Sequence, residues 1–401
     1  MRVMVLGGVG AVAKETTRDL LYNSSFKEIV IADWNIEKAG QLAGELESIC
    51  RDQEIPEGYR CEANKPDFYN KKISTLQVDA SEAKNLVPYF KEMDIVACGL
   101  PFEFDLPVTE AAATAGVNAL DLSFADEQMN FHEQAKAKNI TYIPGVGATP
   151  GITNVMARKG VEQLDRADEV HINFAAYRCL APAPGLIETT FWEFDPATKE
   201  RVYYQDGEMI SVPPFTGEQK ARFHDLIGEQ TVVYIPHPET STISKSYPGL
   251  KHVNVRGTFP PHVMRLMRSL LESGILSHEE INHFGQKTTP YKAMQQLLLV
   301  LPESKQNETW AYGLVVEVKG EKDGKPLSYI YRNQHPSQDQ WGGIAAYYKN
   351  VGIPLAIGAE MLGRGEIEVK GVIAPELAIK PEPFFKELAA RKIEVVEEVL
   401  E

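Results

Sequence analysis

A short apolar strand at residues 3–6 runs directly into Gly8-x-Gly10-x-x-Ala13, and a helical pattern follows without a break. Strand, tight glycine turn and helix in that order form the dinucleotide-binding fingerprint. Gly8 is expected to permit the sharp turn and Gly10 to let the backbone approach a pyrophosphate. Ala13 should let the helix pack closely on the sheet. Gly8, Val9, Gly10, Ala11 and Val12 are therefore candidate cofactor contacts. The unpaired amides of the first helical turn would meet the phosphates at the positive end of the helix dipole.

Glycine-rich turns are common, so the motif needs an acid at the end of the second strand. Residues 28–33 read as that strand, and Asp33 lies at the spacing for a carboxylate that holds the ribose 2′-OH. The competing role for Asp33 is to cap the helix that starts near Asn35. With motif and acid both in register, cofactor binding is the stronger expectation. A carboxylate here repels a 2′-phosphate, and Trp34 and Asn35 supply no cation to offset it, Lys38 being the nearest. NAD is expected over NADP.

A chain of 401 residues is long for one core, and two or three domains are expected. A formal net charge of −15 argues against nucleic acid or an anionic membrane as the main partner. No apolar run reaches the ~18 residues that a membrane span needs, and the apolar N-terminus belongs to the first strand, so a cytoplasmic protein is expected. Cys50, Cys61, Cys98 and Cys179 show no CxxC or metal-ligand spacing, and the nine histidines form no metal pattern. No metal is expected. Cys50 and Cys61 are expected as thiols, a bridge between them being the alternative. Cys98 reads as a packing residue before it reads as a nucleophile.

Residues 1–150 alternate strand and helix, with strands at 3–6, 29–32, 75–78, 95–98, 119–122 and 141–143. Six short apolar strands separated by helices predict an α/β fold, a Rossmann-type doubly wound parallel sheet. Asp79, Gly99, Leu100, Pro101 and Asp121 would then lie along its carboxyl edge as cofactor contacts. Asp121 and Ser123 serve equally well as polar wall or as caps for the helix near Asp126. From about residue 168 the texture changes to runs that look like antiparallel strands, with Lys322-Asp-Gly-Lys325 as a hairpin turn. Residues 151–340 read as an α+β substrate and dimerisation domain. Residues 341–401 read as a segment that packs back on the first domain, its helical stretch 343–363 interrupted at Pro354.

Two loops invite a substrate. Gly145-Val-Gly-Ala-Thr-Pro-Gly-Ile-Thr-Asn154 places glycines at a helix start, with Thr149 as N-cap and Pro150 in the first helical position. Free amides there would favour a carboxylate, and the competing role is a capped hinge. His252-Val-Asn-Val-Arg256 leads through Phe259 to His262 and couples a cation to a turn-rich loop. A guanidinium suits bidentate carboxylate binding, although a lone arginine more often makes a surface ion pair. Tyr177-Arg178 and His237 have similar standing.

Taken together these segments resemble the saccharopine dehydrogenase-like family of NAD(P)-dependent oxidoreductases, which includes saccharopine reductases and lysine 6-dehydrogenases. The specific elements are Leu6-Gly-Gly-Val-Gly10, Val78-Asp79, Leu120-Asp-Leu-Ser123, Gly147–Asn154, Arg256 with Phe259-Pro-Pro-His262, and Lys370-Gly-Val-Ile-Ala-Pro-Glu376. The resemblance implies that Pro150, Gly151, Asn154 and Arg256 line the substrate site, and that the protein is a homodimer. It departs from lysine 6-dehydrogenases in the loop after Arg256, and the carboxynorspermidine-forming branch is expected to be the poorer match.

The resemblance also implies oxidation at the C–N bond of an amino acid or amino-acid conjugate, saccharopine- or lysine-like, with a hydride passing to nicotinamide and an imine left behind. The general base stays open among Asp121, His171, Tyr177, His252 and His262. The rival functions are an NAD-using transferase of the homospermidine-synthase type and a non-catalytic NAD-binding sensor.

Overall fold

The structure, a computed structural model, describes residues 1–177, 184–283, 285–300 and 311–401. Arg178 and Cys179 lie outside the described residues. The chain divides into two compact units, one of Met1–Gln163 with Asn333–Glu397, the other of Leu164–Arg332 with Glu398–Glu401.

The first unit opens with β1 (Arg2–Leu6), α1 (Ala11–Asn23), β2 (Glu28–Asp33), α2 (Ile36–Asp52), β3 (Lys72–Gln77) and α3 (Ala83–Phe90). β4 (Ile95–Cys98), α4 (Asp105–Ala115), β5 (Asn118–Asp121), α5 (His132–Ala137), β6 (Thr141–Ile143) and α6 (Ile152–Gln163) follow. Residues 126–131, where a helix is expected to begin near Asp126, form a separate 3₁₀ turn before α5. β1, β4 and β5 are buried on both faces, which is why they read as continuous apolar runs rather than alternating ones. All pairings in this sheet are parallel, and its fold is the expected Rossmann-type one.

In the second unit β7 (Arg166–Ala176) is followed by α7 (Pro184–Phe194), β8 (Val202–Gln205), β9 (Glu208–Ser211), β10 (Gln219–Arg222), β11 (Glu229–Tyr234) and α8 (Glu239–Ser246). Then come β12 (His252–Thr258), α9 (Pro261–Glu272), the small hairpin β13 (Ile281–His283) and β14 (Gln286–Thr288), α10 (Pro290–Val300), β15 (Tyr312–Lys322) and β16 (Lys325–Gln334). The sheet runs β10-β11-β12-β7-β15-β16. The sheet is mixed rather than wholly antiparallel, because β12 returns to β7 in parallel after the excursion through α8. Asp323 and Gly324 both take positive φ at the β15–β16 turn, the geometry that a two-residue hairpin of this hand requires.

The later part of the chain returns to the first unit as α11 (Ala345–Gly363), β17 (Gly371–Val372), α12 (Pro375–Ala378) and α13 (Pro381–Ala390). β17 adds a seventh strand beside β6, giving the order β17-β6-β5-β4-β1-β2-β3. Pro354 does not interrupt α11, which is continuous and packs on α1, β4 and β5. Burial of its apolar face offsets the one hydrogen bond the proline removes. Cys50, Cys61 and Cys98 are free thiols. No helix among the described residues is long and apolar enough to cross a membrane.

Candidate functional site

The glycine turn is built differently in detail from its expected form. The residue with left-handed backbone is Gly7, at φ +74°, rather than Gly8. A Cβ on Gly8 would instead press on the Ile31 side chain and the Val5 carbonyl. Gly8 is thus required by close packing on β2, and Gly7 by the turn. Gly10 ends the turn with its N–H on the Gly7 carbonyl at 2.9 Å, and α1 starts at Ala11 with no side-chain cap. The amides of the first turn of α1 are therefore presented at the end of the sheet, as an anion site needs. Gly99, after β4, would place a Cβ 2.7 Å from that of Ala13, so the pair sets how closely α1 lies on the sheet. Leu100 covers Gly7, and Pro101 leads into the turn before α4.

Asp33, at the end of β2, accepts the Val9 N–H at 3.3 Å and the Asn35 N–H at 3.0 Å. It does not cap α2. That task falls to Asn35, whose side chain accepts the Lys38 N–H. Asp79 stands exposed beyond β3, its carboxylate pulled below the usual range by the Ser81 N–H.

Asp121 ends β5 fully buried, accepting Tyr142 Oη–H at 2.6 Å, Gln128 Nε2–H at 2.8 Å and Gly145 N–H at 2.9 Å. Sequence reasoning missed its neighbour Asp105 in the first turn of α4. One Asp105 oxygen accepts Ser123 Oγ–H at 2.7 Å, and the other is buried with no partner among the described residues. Burial raises the pKa of both carboxyls, and the Asp121 charge pushes Asp105 further. Two carboxylates this deeply buried do not readily ionise together. Cys98 is buried in the same core, its thiol pushed up by burial.

The 145–151 loop is closed on itself. α6 begins at Ile152 rather than at Pro150, and Thr149 is not its N-cap, because Gly151 takes φ +127° and bridges Gly147. The Thr149–Pro150 bond is cis. The amides of Gly145, Val146, Gly147, Gly151, Ile152 and Thr153 all have partners inside the protein, so the expected set of free amides is not there. Asn154 accepts the Gly151 N–H and donates to Glu376 Oε2, both at 2.8 Å.

In the second unit, strand alternation gathers residues that the sequence places far apart. His252, Asn254 and Arg256 share one face of β12, and Asn254 pairs in register with His171 on β7. The buried Arg256 donates to the Gly217 carbonyl at 2.9 Å, to Asn254 Oδ1 and to Tyr234 Oη at 2.7 Å, its guanidinium 4.1 Å from the Tyr234 ring centre. All three partners are neutral, and Arg256 makes no ion pair among the described residues. His171 holds Glu169 at 2.8 Å and Asn254 at 2.6 Å, with the His252 ring 5.3 Å away. Burial holds both histidines below the usual imidazole range. Tyr177 packs in the apolar cluster of this unit with Phe223 and Val232, away from this group. His262 is exposed at the start of α9.

His237, before α8, is partly buried, its side chain 10% exposed. Its Nδ1 lies 3.1 Å from Glu239 Oε2 and its Nε2 3.9 Å from Glu193 Oε1, and these carboxylates push its pKa up to about 9 against the cost of burial.

Residues 3–143 match the model of the saccharopine dehydrogenase NADP binding domain, and residues 147–393 match that of the saccharopine dehydrogenase C-terminal domain. The chain belongs to the saccharopine dehydrogenase family. It is an oxidoreductase of that family with a nicotinamide cofactor. The fold matches that of apo saccharopine dehydrogenase (L-Glu forming) from Saccharomyces cerevisiae, at a TM-score of 0.69, 15% identity and full coverage of both chains. Carboxyaminopropylagmatine dehydrogenase from a Synechocystis strain is 25% identical over 96% of this chain and 95% of its own. Carboxynorspermidine synthase from Vibrio alginolyticus is 25% identical over 95% of this chain and 92% of its own. The expectation that the carboxynorspermidine-forming branch matches poorly does not hold. That expectation weighed one Pro-Gly segment, whereas the similarity runs through the whole chain.

Proposed function

We propose that this family member is an NAD-linked dehydrogenase acting at the C–N bond of an amine that carries a carboxylate, with Arg256 as the carboxylate clamp. The observation that carries this reading is the buried guanidinium of Arg256 surrounded only by neutral groups. A buried cation without an anion is costly, and a substrate carboxylate would complete it in bidentate geometry. Amino-acid conjugates such as saccharopine carry such a group, and so do the carboxylated amines in the names of the two full-length relatives.

The glycine turn fits a dinucleotide: Gly7 makes the turn, Gly10 leaves the backbone bare, and the start of α1 presents amides to the phosphates. Bound there, the nicotinamide nucleotide supplies hydride transfer chemistry. Asp33 would receive the ribose hydroxyls, and its charge supports NAD over NADP. Of the base candidates, His252 shares the face of β12 that carries Arg256, whereas both ring nitrogens of His171 are engaged by Glu169 and Asn254, Asp121 is engaged by three internal donors and Tyr177 by its core cluster. Pro150, Gly151 and Asn154 would contribute through the shape of the closed loop rather than through free amides.

The test is a screen of NADH and NADPH oxidation with aldehyde and amine pairs that condense to imines, whose reduction by the cofactor gives carboxylated secondary amines, and of NAD reduction with saccharopine and lysine. Arg256→Ala is run in parallel. Turnover on a carboxylated amine, with KM raised roughly ten- to a hundredfold in Arg256→Ala, is the expected result, since a charge-assisted pair is worth ~1.5–3 kcal/mol. Full substrate affinity in that variant would remove the clamp.

A further inference from the structure

We infer that His171 is a positioning residue for Arg256, acting through the Asn254 side chain, and that it does so only as the neutral imidazole with its proton on Nε2. The chain of contacts runs Glu169–His171–Asn254–Arg256 across β7 and β12.

The proton positions follow from what each group can do. A guanidinium is only a donor, so Asn254 must turn Oδ1 toward Arg256 and Nδ2 toward His171. The Asn254 amide then donates to His171 Nδ1, which must carry no proton. The one proton of the neutral ring therefore sits on Nε2 and donates to Glu169 Oε2 at 2.8 Å. Protonation of Nδ1 would set two donors face to face at a 2.6 Å contact. Rotating the amide of Asn254 to relieve it would turn its NH₂ against the Arg256 guanidinium. Either way Arg256 loses the acceptor that fixes its Nη1. The other groups around His171 are Glu169 on its own strand, His252 and Arg256 on β12, and Glu317 and Lys319 on β15. Glu169 and Glu317 favour the charged ring of His171; burial and Lys319 oppose it.

The consequence for substrate rests on the clamp reading of Arg256: binding of a carboxylated amine weakens as pH falls through the His171 titration. The experiment is ¹⁵N NMR of the full chain labelled in histidine and arginine, from pH 8 to pH 5, with His171→Gln to assign the ring signals. KM is measured over the same range with the carboxylated amine that the screen identifies. His171 is expected to show an unprotonated Nδ1 and a protonated Nε2 at pH 8. The Arg256 Nε–H signal should shift with the same midpoint as His171 and become independent of pH in His171→Gln. KM should rise by up to about tenfold per pH unit below that midpoint, the limit for one coupled proton, and the rise should vanish in His171→Gln. A proton on Nδ1 at pH 8, or an Arg256 signal indifferent to the His171 titration, would overturn the inference. If Arg256 follows His171 while KM does not, the positioning stands and the clamp reading fails.

Discussion

The carboxylate of Asp33 lies 3.3 Å from the amide nitrogen of Val9, so the end of the second strand is tied directly to the glycine turn. One acid thereby shapes the turn and sets the charge that a bound ribose would meet. Asp33→Arg should lower the ratio of NAD to NADP affinity by at least about tenfold, because it removes a charge that repels phosphate and adds one that attracts it. Asp33→Ala should weaken NAD binding, since the Val9 and Asn35 amides lose an acceptor worth ~1.5–3 kcal/mol, and NADP binding less, since the charge that repels its phosphate goes too. Titration with each nucleotide reads both effects. Tighter NADP than NAD binding in the unaltered protein would reject this role for Asp33.

Gly7→Ala should destabilise the protein by about 1–3 kcal/mol, from a positive-φ penalty and from a Cβ placed 2.7 Å from Leu100 Cδ2. Leu100→Ala in the same chain should return only the part due to the clash. Urea unfolding of the two single variants and the double variant separates the two contributions.

Replacing His237 by Gln should cost about 3–5 kcal/mol near neutral pH, because Glu193 and Glu239 lose the cation between them. The folded pKa of His237, about 9, stands above the ordinary imidazole value. Its stabilisation is therefore complete below about pH 6.5 and is lost as pH rises through about 9. Unfolding free energies at pH 6, 7.5 and 9.5 should fall along this series in the unaltered protein. That alkaline fall should be absent from His237→Gln.

Asp105 gives a second pH dependence from the opposite kind of group. Its folded pKa is raised, so its contribution is present below the usual carboxyl range and fades as pH climbs toward the folded value. Asp105→Asn keeps an acceptor for Ser123 without the charge. The variant should gain on the unaltered protein in melting temperature from pH 5 to pH 8. An unchanged difference across that range would show that Asp105 ionises freely.

The first sheet was legible because parallel strands buried on both faces leave uninterrupted apolar runs, and Gly8-x-Gly10-x-x-Ala13 fixed where the first of them ends. The family resemblance was legible partly for the same reason, since Leu6–Gly10, Val78-Asp79 and Leu120–Ser123 sit at those strand ends. Local chemistry was read less well. The turn role expected of Gly8 falls to Gly7, because Gly8 is held by close packing on Ile31 and the sequence carries no sign of that contact. Pro354 breaks a helix by local rules, yet burial of α11 overrides them. Asp105 left no signal, being one acid after a short aromatic turn until folding sets it near Asp121. The alternation His252-x-Asn254-x-Arg256 did mark one strand face, but Asn254 gains meaning only through its register with His171.

The seventh strand of the first sheet, Gly371–Val372, is made more than two hundred residues after the sixth, Thr141–Ile143. At a synthesis rate of about 5–20 residues per second, a nascent chain would carry β6 without its neighbour for roughly ten to fifty seconds. An exposed strand edge is a template for wrong pairing through all of that interval. α11, which covers α1, β4 and β5, arrives only shortly before β17. The first sheet of this molecule is thus begun before residues 164–332 are made and closed only after them.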